Sequence, residues 1–483
     1  MAAIITEKFR THNAKQFKED FGESASSSYI FIGRSFDWPD ENDPPAPANS
    51  VGEELDAWSD MIALKKVGSA DVSHGIARVD WTDGVKYDEY QHNVSATNTS
   101  TVNTENNIYD SKFYVLTDEY NVYKCIRTGR DANGATVVSD VKPTGTSATI
   151  LVSTSDSNAA SGRGYLWKYM YTISASDTIK FVTNDFIPVK TLGAQTEIDG
   201  TGTGGGLNAS ASNDGSAQWD VENQAVDGAV LHVVVTNGGA GYTNGDHSAV
   251  IDGDGSSGVA TVTVAGNAVT HINVTTAGTG YKRASIDIDE VSGIGGGSSA
   301  TCDVIISPLI GHGADPVQEL GGNYVIVNAR LEFAEGTGDF PTDNDFRRIG
   351  LIQDPFSTGT TLLDASTAFA YNKMSVTSAA GIAVDDILKS SQTDGAGVKV
   401  GRVLSVTGTT VSYLPQANSE GGYVDFANAD NLFEGSTARG AVNAAITPPE
   451  VVRYSGQILY IENRGAVTRA SDQIEDIKLI IEM

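Results

Sequence analysis

Cysteine, histidine and basic residues are scarce in this sequence, and each scarcity removes a class of function. Among 483 residues there are two cysteines, Cys125 and Cys302. So wide a separation is neither a disulfide framework nor a zinc spacing, and it suits folding in a reducing cytosol. The seven histidines, His12, His74, His92, His232, His247, His271 and His312, stand singly, none at ligand spacing from a second histidine or a cysteine. His271 falls in an alternating stretch, opposite Ile272, and reads as part of a solvated strand face. Lysine and arginine total 32 against 61 acidic residues, a formal charge of −29. Such a surface repels phosphate backbones and anionic lipid, so neither a nucleic-acid partner nor membrane binding is expected. No apolar run approaches the roughly 18 residues of a bilayer span. The start, MAAIITEKFR, has no apolar signal-peptide core.

Catalytic signatures are missing as well. Gly-Lys never occurs, so there is no Walker A loop; no His precedes Glu, so there is no HExxH; and there is no GxSxG elbow. Gly200-x-Gly202-x-x-Gly205 matches a dinucleotide fingerprint in form only. It lies in a Gly/Thr tract with no helix signal after it and reads as a linker. Asp252-Gly-Asp254-Gly could offer oxygens to Ca²⁺, but the remaining ligands of a calcium loop are missing and a tight turn is favoured. A glycosidase needs two carboxylates facing a cleft, and no local signature nominates such a pair. The sequence therefore nominates no catalytic residue, no cofactor and no metal ligand, and a non-enzyme is expected.

What is present is glycine, 52 residues of it, in a composition 40% hydrophobic and 19% charged. This is a globular balance rich in turn residues, and the length suits about three domains. The predicted class is α+β, mainly β. The stretch Tyr29–Trp38, YIFIGRSFDW, opens with a short β-branched and aromatic run that reads as a strand buried on both faces. It stops at Gly33-Arg34-Ser35 and the acid- and proline-rich DWPDENDPPAP, and its partners are expected near the C-terminus.

Residues 1–95 carry two helix signals. One is a capping box at Asn13-Ala-Lys-Gln16 followed by Phe17 and Phe21. The other is Ser50-Val-Gly-Glu53 followed by Leu55, Trp58 and Ile62, with Lys65-Lys66 in the last turn. Residues 96–190 read as a β domain, with strands at Phe113–Leu116 and Val122–Ile126. A further strand carries Tyr165, Trp167, Tyr169 and Tyr171 on one face, read as core in preference to a stacking platform. Residues 191–321 form a Gly-rich β insertion, 322–360 return to mixed character, 361–445 make a second small β insertion, and 446–483 close the chain with an alternating strand.

The insertion at 191–321 contains a duplication. Val233, Val235, Gly239, Gly241 and Tyr242 recur as Ile272, Val274, Gly278, Gly280 and Tyr281. Ser257, Ala260, Thr261 and Val264 are echoed about 40 residues on by Ser298/Ser299, Ala300, Thr301 and Val304. Each copy reads as strand, glycine turn, tyrosine, strand. Tyr242 and Tyr281 either pin their own turns or stand exposed as stacking residues for a glycan or receptor.

A set of short motifs, in order, carries a resemblance. They are Thr6-Glu-Lys-Phe-Arg-Thr11, Phe31-Ile-Gly-Arg-Ser35 with Trp38, Asp56-Ala-Trp58, Arg78-Val-Asp-Trp81, Tyr123-Lys-Cys125 and Gly164-Tyr165-x-Trp167-x-Tyr169. Phe346-Arg-Arg-Ile349 with Asp354-Pro355 and Ser455–Arg464 with Asp472-Gln473 complete it. In this order they resemble the gene product 8 baseplate wedge subunits of T-even-type contractile-tailed bacteriophages. The match runs over about 1–190, 322–357 and 450–483, and the two insertions have no counterpart. The resemblance implies an α/β base domain built from both chain ends, carrying inserted antiparallel β-barrel or sandwich domains. It implies a homodimeric structural protein of the virion tail baseplate, assembled in the host cytoplasm, contacting other wedge proteins and moving when the baseplate rearranges at host attachment. It implies no catalysis. Arg10, Arg34, Trp38, Trp58, Trp81 and Arg464 are then the candidate assembly contacts or base-domain framework. Arginine on an acidic protein suits forked contacts to a partner, or equally pairing with local carboxylates. The alternative function is a glycan- or receptor-binding β-module protein.

Overall fold

A computed structural model describes residues 3–152, 162–193, 212–332, 340–342, 344–470 and 474–483. The Gly200–Gly206 tract lies outside them. The described chain is mainly β, with several antiparallel sheets and five α-helices. It groups into two compact units, one of residues 1–15, 73–326 and 480–483, the other of 16–72 and 327–479.

In the second unit a five-stranded sheet runs Thr367–Phe369, Met61–Val67, Ser28–Gly33, Asn344–Gln353 and Gln457–Arg469. Ser28–Gly33 lies at its centre and every residue in it is buried, as an apolar run this short requires. Its partners differ from the expected ones. It pairs with Met61–Val67 on one side and Asn344–Gln353 on the other, and the C-terminal strand Gln457–Arg469 is one place further out. The side chains of residues 29–32 fix two buried faces, but a strand buried on both faces does not say which segment lies beside it.

Two helix assignments also change. The first helix is Glu7–Asp20, so Asn13 is interior to it, and Thr11 and Ala14 are its buried residues. The second is capped as expected, with Ser50 Oγ accepting from the Glu53 amide, but it ends at Ser59. Met61–Val67 is a strand, which places Lys65 and Lys66 in a sheet and not in a last helical turn. Four consecutive apolar residues, Met61–Leu64, are all buried there, and burial on both faces is available in a central strand but not on one stripe of a surface helix. The same unit holds a six-stranded sheet with Val400–Thr407 and Thr410–Gln416 near its centre.

In the first unit, Tyr114–Leu116, Asn121–Arg127, Leu166–Thr172 and Leu151–Val152 form an antiparallel sheet. The aromatic stripe is core. Tyr165, Trp167 and Tyr169 pack with Tyr87, Tyr123 and Cys125, while a bulge opposite Val122/Tyr123 sends Met170 and Tyr171 together into a second cluster around Phe113 and Ile187.

The duplicated segment folds by exchange. The first strand of copy one, Val230–Ala240, pairs with the last strand of copy two, Ser298–Ile306. The first strand of copy two, Ala268–Thr279, pairs with the last strand of copy one, Ser256–Ala265. The equivalence is repeated in detail. Gly239 and Gly278 have φ of 60° and 64°, and Ser257 and Ser299 have φ of 66° and 69°. A Cβ on Gly255 or Gly297 would enter the ring of Tyr281 or Tyr242 respectively. These pairs match Ser257 to Ser299 and Gly255 to Gly297. The second strands are therefore two residues out of the alignment read from Ala260/Ala300, because the loop after Tyr281 is longer than the loop after Tyr242. His271, expected on a solvated face, is 7% exposed. Asp252–Gly253, expected in a tight turn, is a short strand paired with Ala284–Ser285, and Asp254 Oδ1 accepts from the backbone amides of Lys282 and Arg283.

Candidate functional site

The end of the central strand in the second unit builds a charged site. Gly33 is needed there for close approach, since a Cβ would lie 3.0 Å from the Asp60 carbonyl oxygen and 3.2 Å from its Oδ1. Arg34 follows in the left-handed region with φ 57°, and its amide donates to the same carbonyl. That turn lays its guanidinium over two rings, 3.5 Å from the Trp38 centroid and 3.9 Å from that of Phe36. Its Nη2 donates to the Asp37 carbonyl, and its Nε is buried with no partner.

Trp38 Nε1 donates to the Arg464 carbonyl at 2.9 Å. That carbonyl is free because Gln457–Arg469 bulges where Arg348 faces Asn463 and Phe346 faces Val467. Ala466, in the same bulge, donates its amide to Glu41. Glu41 also accepts from the Trp38 amide and from Arg347 Nε. Burial alone would raise its pKa, but these donors hold the carboxyl below its usual range. Arg464 thus serves through its backbone; its guanidinium, 40% exposed, reaches Glu462 at 3.1 Å.

Two buried arginines hold the site together. Arg347 bonds to Glu41, Asp37, Asp345 and the Ser35 carbonyl. Arg348 bonds to Asn463, Glu53 at 2.7 Å and Asp60 at 3.2 Å. Neighbours on a strand point to opposite faces, so one Arg-Arg pair holds the loop at 35–41 through Arg347 and the second helix with its C-cap Asp60 through Arg348. Burial pushes the Asp60 carboxyl up to about 7, with Arg348 and Arg34 pulling it back down. Burial likewise lowers the Arg34 pKa, opposed by Asp60. Beside these groups is a cavity of about 350 Å³, lined by Arg34, Phe36, Asp60, Arg348, Pro415 and Tyr423. Tyr423 is 62% exposed at its edge.

The sequence nominated Arg34, Trp38 and Arg464, and the fold brings these three together. Trp58 is buried in the core of the same unit, 4% exposed, 6.2 Å from the Tyr454 ring. Arg10 and Trp81 lie elsewhere, in the first unit. Arg10 reaches Glu482 at 3.0 Å, and Trp81 Nε1 donates to Ser139. Arg347 and Arg348, the centre of the site, were not nominated. Their signal was two adjacent cations inside an apolar strand pattern, which only paired carboxylates could accommodate. Tyr242 and Tyr281 are not exposed: their relative exposures are 0% and 1%. Tyr281 Oη donates to the Ile251 carbonyl and accepts from the Gly258 amide. Tyr242 Oη donates to Asp289 and accepts from the Ala300 amide. Each ring fills the space that two glycines leave, so neither offers a face for stacking.

Residues 3–150 match the family model described as Bacteriophage T4, Gp8. The N-terminal part of this chain is gp8-like. The baseplate wedge protein gp8 of Enterobacteria phage T4 is 28% identical over 210 residues, covering 39% of this chain and 60% of that protein. The chain thus spans about 60% of the length of the curated relative it matches. The gp8-like segment contains Arg34, Trp38, Glu41, Glu53 and Asp60, the N-terminal half of the charged site. Among the described residues no group of three or more His, Cys, Asp or Glu is placed to hold a metal ion, and no helix is long and apolar enough to cross a membrane.

Proposed function

We propose that this chain is a structural component of a phage tail baseplate wedge. In this reading it bridges neighbouring wedge proteins during assembly and moves with them when the baseplate rearranges at host attachment. It works as a homodimer in the virion tail baseplate, after assembly in the host cytoplasm, and carries out no catalysis. The observation that carries the reading is the gp8-like match over residues 3–150, together with the 28% identity to a baseplate wedge protein. The charged site supports it: Arg34 is only partly buried, stacked and pre-oriented, with an unsatisfied Nε, at the edge of an open cavity. Pre-orientation of this kind lowers the entropy lost on docking.

Arg34→Ala tests the contact. It removes a cation–π interaction of about 0.5–1 kcal/mol at a partly exposed position, so the melting temperature should change little. Co-assembly with the neighbouring wedge proteins, read by sedimentation, should fall. Unchanged co-assembly removes Arg34 from the interface. A full chain that stays monomeric and binds no wedge protein overturns the whole reading. The glycan-binding alternative has lost its stacking residues, since both tyrosines are buried.

A further inference from the structure

The helix Val51–Ser59 turns two apolar side chains outward. Val51 and Leu55 are four residues apart and both exposed. Trp58, next on the same stripe, is buried against Tyr454, whose ring centroid is 6.2 Å away. Tyr454 is itself exposed, as is Tyr423. Tyr423 stands at the edge of the cavity of about 350 Å³, beside Asp56 and Ser59 of the helix. One face of the second unit therefore carries two exposed tyrosines and an exposed aliphatic stripe next to an open cavity. Aromatic rings grouped around a pocket are characteristic of the centre of a protein interface.

The charges on this face tell what it can receive. Arg348 is committed to Glu53, Asp60 and Asn463. The Arg34 guanidinium lies over Trp38 and Phe36 and donates to the Asp37 carbonyl. Arg453, next to Tyr454, is half-buried and donates to the Ala370 carbonyl. None of these cations bonds to Asp56, which is exposed and, among the described residues, makes no ion pair. Burial, and after it Tyr454, Asp56 and Asp60, push the Tyr423 hydroxyl up, so both carboxylates act on this ring. The free charge of the face is negative, as is the chain at −29. A second copy of the chain is repelled by such a face, and a basic partner is attracted to it.

We propose that this face docks a basic segment of a neighbouring wedge protein, whose lysine or arginine side chain lies along Leu55 and Tyr454 and brings its charge to Asp56 over the ring of Tyr423. A long basic side chain matches both halves of the surface. Its methylene stem covers apolar groups while its head stays charged. The head gains a carboxylate and an aromatic face together. The inference rests on the wedge reading and names the chemistry of the partner, which that reading leaves open.

The test is sedimentation of the full chain with the purified neighbouring wedge proteins of its own phage, over a series of salt concentrations. Tyr423→Ala and Leu55→Ala should each weaken co-assembly about tenfold. Asp56→Lys should weaken it about tenfold more than Asp56→Asn, because it sets like charges against each other. Asp140→Lys, at an exposed carboxylate of the first unit, should leave it unchanged. Added salt should weaken the wild type more steeply than Asp56→Asn. If an apolar variant lowers the melting temperature, Asp56→Lys, a change at an exposed position, decides alone. Carbodiimide coupling of the wild-type assembly, read by mass spectrometry, then identifies the base. A crosslink from Asp56 to a wedge protein marks a lysine, and its absence while Asp56→Lys still weakens co-assembly marks an arginine. A crosslink from Asp56 to a second copy of this chain overturns the proposal, as does an equal loss in Asp140→Lys. Wild-type co-assembly that Asp56→Lys leaves unchanged overturns it too and leaves the wedge reading standing. A wild type that binds no wedge protein removes both.

Discussion

The exchanged repeat module and the charged site around Arg347 and Arg348 solve the same problem, holding distant segments together, by opposite means. The module has an aliphatic core with two tyrosines, and its cohesion comes from buried apolar surface and backbone pairing. The charged site buries two guanidinium groups and satisfies them with the Ser35 carbonyl, the carboxylates of Asp37 and Glu41 in the same loop, and those of Glu53 and Asp60 in the second helix and at its C-cap. Burial of apolar surface is non-directional, so the module tolerates a loop that is longer in one copy than in the other. A buried ion network is directional and fails when one partner is lost. The module is therefore organised by shape and the charged site by specific partners.

Removing a partner from the network should give the largest effect. Arg348→Met leaves Asp60 and Glu53 without their cation, and the expected loss is about 3–5 kcal/mol. Hydrogen exchange by mass spectrometry should show it as lost protection in Ser28–Gly33 and Asn344–Gln353, with 256–306 unchanged. Equal loss in both regions would mean that the contrast between them is wrong. The module should answer to shape instead. Gly278→Ala puts a Cβ about 2.6 Å from the Ser256 carbonyl oxygen and the Tyr281 ring, at φ 64°. The cost expected of such strain is about 1–3 kcal/mol. Because each copy lends a strand to the other, Gly239→Ala should produce the same pattern of lost protection over both copies. If only the copy carrying the substitution loosens, the copies are energetically separate despite the exchange.

A third effect is electrostatic. The folded-state pKa of Asp60 is raised to about 7 by burial, above an unfolded value of about 3.9. The folded chain therefore holds an extra proton between those values. That contribution is complete below about pH 4 and is lost as pH rises through about 7. Relative to Asp60→Asn, the wild type should lose about 2 kcal/mol between about pH 5 and 7.5, read from urea denaturation at each pH. A pH-independent difference would mean that Arg348 keeps Asp60 ionised throughout.

The sequence made some of this legible and left the rest hidden for definite reasons. The gp8-like motifs were legible because each is a local string. The buried strand at 29–32 was legible because consecutive apolar residues require two buried faces. The duplication was legible because its glycines and tyrosines are tied to local φ values and ring packing. Met61–Val67 was misjudged because its apolar run continues a capped helix, and a run alone does not separate helix from buried strand. Arg347 and Arg348 were overlooked because their partners, Glu41, Glu53 and Asp60, are about 290–310 residues away in the chain.

By itself, then, the sequence determined the β-rich class, the strong negative charge, the central strand that ends at Gly33 and the duplicated glycine–tyrosine units, because composition and local pattern are sufficient for each. Only the tertiary structure decided which strands flank Ser28–Gly33, that the two copies exchange strands, that Tyr242 and Tyr281 are sealed inside, and that Arg34, Trp38 and Arg464 meet at a pair of buried arginines. Those outcomes depend on which distant backbone edge or carboxylate satisfies a buried group, and that choice is made in space.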